Sequence, residues 1–159
     1  MPTQILQATM AELETIIPLF DAYRVFYQQA SDLTVARTFL SERLRHQDSV
    51  IFLAVDRNSN GIGFVQLYPS FSSVSAKRLW ILNDLFVAES ARRQGIAKHL
   101  MDRAREFAVE TNAKGLFLET AHDNFNGQSL YESLGYQRNS EFYYFLDLQN
   151  PAPVDAHRI

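Results

Sequence analysis

The chain has no cysteine. Disulfide frameworks, thiolate nucleophiles and cysteine-ligated zinc are therefore excluded. Its four histidines (His46, His99, His122 and His157) are scattered. No two stand at a spacing that would share a metal, so no metal site is expected. Long apolar runs are also lacking: nothing approaches the roughly 20 residues that span a bilayer. The start, Met1-Pro2-Thr3-Gln4, carries neither the basic nor the apolar region of a signal peptide. A cytoplasmic protein with no membrane partner is the expectation. Nor is there an excess of positive charge. The formal net charge of -3 gives no overall pull toward nucleic acid or anionic lipid. Internal repeats and low-complexity segments are absent.

What is present fits one globular domain over residues 1–149 with an irregular tail at 150–159. The 159 residues are 47% hydrophobic and 13% aromatic, enough for a core and unlike a disordered chain. Gln4–Ala8 reads as a short strand. Thr9 with Glu12 three residues on is a capping-box pattern opening a helix to about Tyr23, with a kink or break expected at Pro18. Asp32–Arg45 repeats apolar residues at helical period. Ser49–Asp56 is a nearly continuous apolar strand; Arg57–Gly61 is turn chemistry and Ile62–Phe71 the partner strand. Ala76–Ala88 reads as a strand, the stretch from Ile96 to about Ala108 as an amphipathic helix, and Leu116–Ala121 as a short buried strand. Asn124–Leu134 reads as a helix closed by Gly135, with late strands at Tyr136–Arg138 and Glu141–Leu148. The fold class is α/β: a mixed sheet of six to seven strands with about four helices on both faces.

Two segments carry chemistry. In Arg92-Arg93-Gln94-Gly95-Ile96-Ala97 a strand feeds a helix through a glycine turn. Free N–H groups and the positive end of the helix dipole converge at such a terminus, which suits a phosphate. A solvated surface turn is the alternative. A second basic pair, Lys77-Arg78, is another candidate anion site. The other segment, Asn124 through Leu130-Tyr131-Glu132 to Leu134-Gly135-Tyr136, opens with an N-cap asparagine and places Tyr131 two turns into its helix. Beside Leu130 and Leu134, Tyr131 also fits a half-buried core tyrosine.

Together the two segments resemble the GCN5-related N-acetyltransferase (GNAT) superfamily. The Arg/Gly turn is similar to its acetyl-CoA pyrophosphate loop, and the second block to its N…LYExLGF signature, with Tyr136 for the usual Phe. The resemblance runs to about residue 148 and implies a mostly antiparallel sheet. It implies that backbone groups of Leu85, Phe86 and Val87 bind the pantetheine arm. N–H groups from Arg92 or Arg93 through Gln94, Gly95, Ile96 and Ala97 would hold the pyrophosphate, the arginine side chains would add charge, and Asn124 would contact the cofactor arm. The Tyr131 hydroxyl would protonate the departing thiolate. Many relatives carry a Glu base where this chain has Asn83, which cannot accept a proton.

The expected proton acceptor is then Asp84 or Glu119, reached through water. Strict alternation would turn Asp84 away from Asn83's face unless a bulge intervenes, and Glu119 reads equally well as a structural carboxylate. Within the family the chain looks most like histone/polyamine and spermidine/spermine acetyltransferases. Tyr23, Phe26, Tyr27 and Asn83, with Asp21 and Asp32, are candidates for receiving an amine, although the aromatics fit a packing face as well. The late aromatics fit the cleft, the core or a homodimer interface. The expected activity is acetyl-CoA-dependent acetylation of a primary amine, whether polyamine, other small amine or protein lysine, by direct attack. A non-catalytic acyl-CoA sensor is the alternative, and a domain for another phosphate ligand a weaker third, since neither a P-loop nor a dinucleotide turn is present.

Overall fold

A computed structural model describes residues 3–150 of the protein. The elements follow as β1 (Gln4–Gln7), a 3-10 turn (Met10–Glu12), α1 (Leu13–Phe26), α2 (Leu33–His46), β2 (Val50–Val55), β3 (Gly61–Ser72) and β4 (Lys77–Val87). A second 3-10 turn (Glu89–Ala91) leads to α3 (Ile96–Glu110), β5 (Gly115–Phe117) and α4 (Phe125–Ser133). The described residues form two compact units, one running to Ala121 and one starting at His122.

The first unit is a five-stranded sheet in the order β1-β2-β3-β4-β5. Four strands are antiparallel; β5 joins β4 in parallel through the crossover helix α3. One face meets α1, where Phe20 and Tyr23 lie 6.2 and 5.9 Å from Phe64. The other meets α3, where Phe107 lies 5.5 Å from Phe52 and 5.1 Å from Trp80. The apolar run Ile51–Ala54 is fully buried because the sheet is covered on both faces.

Local chemistry sets the boundaries. Thr9 and Glu12 form the expected capping box, Thr9 N donating to Glu12 Oε2 at 2.7 Å, but the box closes on the 3-10 turn that leads into α1. α1 runs unbroken past Pro18 to Phe26. The bond Pro18 lacks would have gone to the Glu14 carbonyl, and both residues are exposed, so water can take its place. Asp32 caps α2 by accepting from Val35 N at 2.9 Å. Asp21 is buried and accepts from Ser31 Oγ at 2.6 Å and Asp32 N at 2.8 Å. Those bonds hold its carboxyl below the usual carboxylate range. Asp21 thus ties α1 to the start of α2.

The second unit contains α4 and an extended segment. Strands were expected at Tyr136–Arg138 and Glu141–Leu148, and neither forms, which leaves five strands among the described residues instead of six or seven. Side chains take backbone donors at the two ends of the later segment: Glu141 N bonds Asn139 Oδ1 at 3.2 Å, and Gln149 N and Asn150 N bond Asp147 Oδ1 at 2.8 and 3.2 Å. Such local bonds compete with a sheet ladder. β5 likewise stops at Phe117, short of the expected Ala121. The tail beyond residue 150 lies outside the described residues. No described helix is long and apolar enough to cross a membrane.

Candidate functional site

The centre of the first unit's site is a one-residue irregularity in β4. Gln66 of β3 pairs with Asp84, but the next residue, Leu67, pairs with Leu82, so Asn83 is an extra residue in a β-bulge. The bulge inverts the phase of the strand. Trp80, before it, packs on Phe107 of α3, whereas Phe86, after it, meets Tyr23 of α1 at 6.4 Å. Strict alternation would have sent both even-numbered residues to one face. Asp84 is carried with Phe86 to the α1 face.

There Asp84 is almost wholly buried, yet well supplied with donors. Asn83 Nδ2 donates to Oδ1 at 2.8 Å, the Gln66 amide donates to Oδ2, and the Tyr23 hydroxyl supplies a third, weaker interaction. Burial pushes the carboxyl above its ordinary range, and the three donors pull it only part of the way back. The hydroxyls of Tyr23 and Tyr68 feel the opposite side of this arrangement. Desolvation and the neighbouring Asp84 charge raise both, so each stays protonated. Gln66 and Tyr68 were not singled out from the sequence. The available signal for Gln66 was a lone amide inside the apolar run Phe64-Val65-Gln66-Leu67.

Aromatic rings extend this cluster outward along α1. Half-buried Tyr23 meets Tyr27 edge-on at 4.9 Å, and Tyr27 meets Phe26 at 5.3 Å. Phe26 and Tyr27 are 61% and 58% exposed, which is high for large rings and leaves their faces available to a ligand. Glu119 stands apart from this group in a different way: it lies beyond the end of β5, exposed, with no hydrogen bond or ion pair to another described residue.

On its other edge β4 is mostly open. β3 pairs with it along its length, but β5 covers only Leu79–Ile81. From Leu82 to Val87 that second edge carries no strand among the described residues, leaving backbone donors and acceptors for an extended ligand. The Val87 carbonyl accepts from Arg92 Nε at 3.0 Å, and the Arg92 guanidinium lies 5.9 Å from the Phe86 ring centre. Arg92 is therefore folded against the strand end and braces the loop that follows. In that loop Arg93 (φ 62) and Gly95 (φ 78) are both left-handed. Turns with left-handed residues can line up successive N–H groups as an anion-binding concavity, and the α3 N-terminus that follows has no side-chain cap. A Cβ at Gly95 would meet nothing within 4 Å, so the space beside it is open and the glycine is needed for its φ. The first N–H groups of α3, those of Ile96 and Ala97, have no side-chain cap.

In the second unit Asn124 caps α4, its Oδ1 accepting from Gly127 N at 3.1 Å. The far end closes in a Schellman motif. Gly135, at φ 91, donates to Glu132 O, and Tyr136 N donates to Tyr131 O, both at 3.1 Å. The Tyr131 and Tyr136 rings lie 6.3 Å apart, as the apolar contact of that motif requires. Of the residues expected to act together, Asp84, Asn83, Tyr23 and the Leu85–Ala97 stretch lie in the first unit, and Asn124 and Tyr131 in the second.

The model of the acetyltransferase (GNAT) family matches residues 13–136, most of the chain. The chain belongs to the GNAT acetyltransferase family. This GNAT protein is 48% identical over 139 residues to an uncharacterized N-acetyltransferase, YhfO, of Bacillus subtilis, covering 87% of this chain and 93% of that one. The crystal structure of a probable acetyltransferase superimposes with a TM-score of 0.88 at 47% identity, over 92% of this chain and 99% of its own. A more distant fold neighbour, the aminoglycoside N-acetyltransferase AAC(6')-Iy in complex with CoA, gives a TM-score of 0.78 at 18% identity, over 92% and 95% of the two chains. The GNAT chain is accordingly an N-acetyltransferase, with the α/β fold of that family.

Proposed function

We propose that the chain transfers an acetyl group from acetyl-CoA to a primary amine by direct attack of the amine on the thioester, with residues 1–149 acting as one catalytic domain. The observation that carries the reading is the continuity of the open β4 edge with the left-handed turn at Arg93–Gly95. Together they offer strand-like pairing to a pantetheine arm and a cluster of N–H groups to a pyrophosphate. CoA bound to a fold neighbour supports the same donor.

The acceptor arrives as an ammonium, with a pKa near about 10, and must lose a proton before it attacks. Asp84 is the proton acceptor in this reading. Its raised pKa makes it a better base near neutral pH than an exposed carboxylate, and the half-buried Tyr23 hydroxyl joins it to the cleft. The amine proton passes to the Tyr23 oxygen as the Tyr23 proton passes to Asp84. The nitrogen then bonds to the thioester carbonyl carbon, the carbon–sulfur bond breaks, and Tyr131 protonates the leaving thiolate. Exposed Phe26 and Tyr27 receive the aliphatic part of the acceptor, a polyamine or lysine-like chain. Asn83 removed the reason to expect a base, which was the chief ground for a non-catalytic sensor; Asp84 on the α1 face supplies one.

Release of free CoA thiol from acetyl-CoA with a panel of amines tests the reading. Turnover with at least one primary amine is expected, and Tyr131→Phe should slow it at least about tenfold, the lower range of a lost general acid, with CoA affinity unchanged. CoA binding without turnover by any amine would return the sensor; no rise in melting temperature at millimolar CoA would remove the donor assignment.

A further inference from the structure

The basic pair Lys77-Arg78 has no part in acetyl transfer, and the start of β4 gives it a setting of its own. The Arg78 guanidinium lies 5.1 Å from the ring centres of both Phe71 and Trp80. No described carboxylate pairs with it. The acids in the adjoining segments are engaged elsewhere: Asp48 with Arg43 at 2.7 Å, and Glu110 with Arg103 at 3.0 Å. Lys114 N donates to the Arg78 carbonyl at 2.8 Å, which brings a third basic residue to the same end of the sheet.

Arg78 opens on a cleft of about 450 Å³, lined also by Gln47, Ser49, Val50, Pro69, Trp80 and Thr111. That volume is within the range of small-molecule pockets. Its polar inventory is lopsided. The Trp80 indole N–H is already taken by Thr111 Oγ1 at 2.9 Å, and the Thr111 hydroxyl donates to Phe107 O at 2.9 Å. The groups left over are the Gln47 carboxamide, the Ser49 hydroxyl, which is buried with no partner among the described residues, and the Arg78 guanidinium, which alone of the three carries a charge. A free cation beside an orphan hydroxyl favours an anion. Val50, Pro69 and Trp80 favour one with an apolar body over a bare inorganic ion.

We propose that this cleft binds a small organic carboxylate, its carboxylate held by Arg78 and its apolar part lying against Val50, Pro69 and Trp80. Rings above the guanidinium restrict its orientation while leaving its N–H edge free for a two-pronged bond.

Trp80 is the chain's one tryptophan, so its fluorescence reports on the cleft without reference to acetyl transfer. The probes are benzoate, its neutral counterpart benzamide, and inorganic phosphate, each titrated into the full-length protein. Benzoate should give a saturable change in Trp80 emission. Benzamide should bind at least about tenfold more weakly, the ratio expected for one charge-assisted hydrogen bond. Arg78→Met, which keeps the apolar stem, should weaken benzoate by a similar factor. No saturable change in the wild type, equal binding of benzamide, or an unaltered Arg78→Met variant would overturn the proposal. Phosphate binding as tightly as benzoate would overturn the organic carboxylate. Should Arg78→Met fail to fold by circular dichroism, the benzoate-to-benzamide ratio on the wild type decides alone.

Discussion

The first unit and the second are held together by different means. Every buried hydrophobic residue among those described lies before residue 122, and from His122 onward none is buried. The sheet and its helices rest on side-chain packing, which is dense and resists distortion. α4 rests on its ends: an asparagine cap at one and a glycine-closed Schellman turn at the other. The Arg93–Gly95 turn and Asp84 thus belong to a packed scaffold, while Tyr131 belongs to an element defined chiefly by backbone hydrogen bonds. A bisubstrate enzyme can use such a division, since one partner can be positioned by a rigid frame while the other group needs only local precision.

The sharpest way to break this contrast is through the core. Phe64→Ala removes a fully buried ring between Phe20, Tyr23 and Phe86, and should cost about 3–5 kcal/mol in denaturant unfolding. A loss under about 1 kcal/mol would mean that the first unit does not depend on packing as described. Next in size is Asp84→Asn, expected to lower kcat/KM by about 10²–10⁴, the range for a lost general base, with CoA affinity intact. The folded pKa is raised above the ordinary 3.8, so Asp84 contributes stability fully below that value, and loses it as pH rises through the folded pKa. The wild type should therefore lose ground to Asp84→Asn as unfolding is measured from acid toward neutral pH; the reverse trend would place Asp84 in an ion-stabilising site.

Gly95→Ala should cost about 1–2 kcal/mol through its left-handed φ, and should weaken CoA binding in isothermal titration, with no clash involved. Unchanged CoA affinity would detach the turn from the pyrophosphate. Smallest is Asn124→Ala, at about 1 kcal/mol for a lost cap. Amide exchange should quicken in α4 and stay constant in β2 and β3; quickening across the sheet would show that the two units do not differ as their burial implies.

Much of this was legible in the sequence where a residue's requirement is local. Gly95 announces its turn because few other residues take that φ, and Asn124 and Gly135 mark the ends of α4 for equally local reasons. The face on which Asp84 lies was not legible. It depends on Leu67 pairing with Leu82 while Gln66 pairs with Asp84, a matter of register between two strands that neither strand encodes alone. The late strands were misjudged for the converse reason. Alternating aromatics from Phe142 to Leu146 suggested a ladder, but no partner strand pairs with them among the described residues, and at the two ends Asn139 and Asp147 take the backbone donors of Glu141 and Gln149. Gln66 was passed over because an amide in an apolar strand reads as an exception until its carboxylate partner is seen.

The glycine that ends α4 sets more than a boundary. Because Gly135 reverses the chain, the Tyr136 N–H returns to the carbonyl of Tyr131 and its ring returns to the Tyr131 ring. The direction of one phenol is thereby governed by the handedness tolerated at a Cα four residues away. In the reaction proposed above, a substitution at Gly135 would re-aim the Tyr131 acid without altering a single atom of it, so turnover would answer to a residue four positions away.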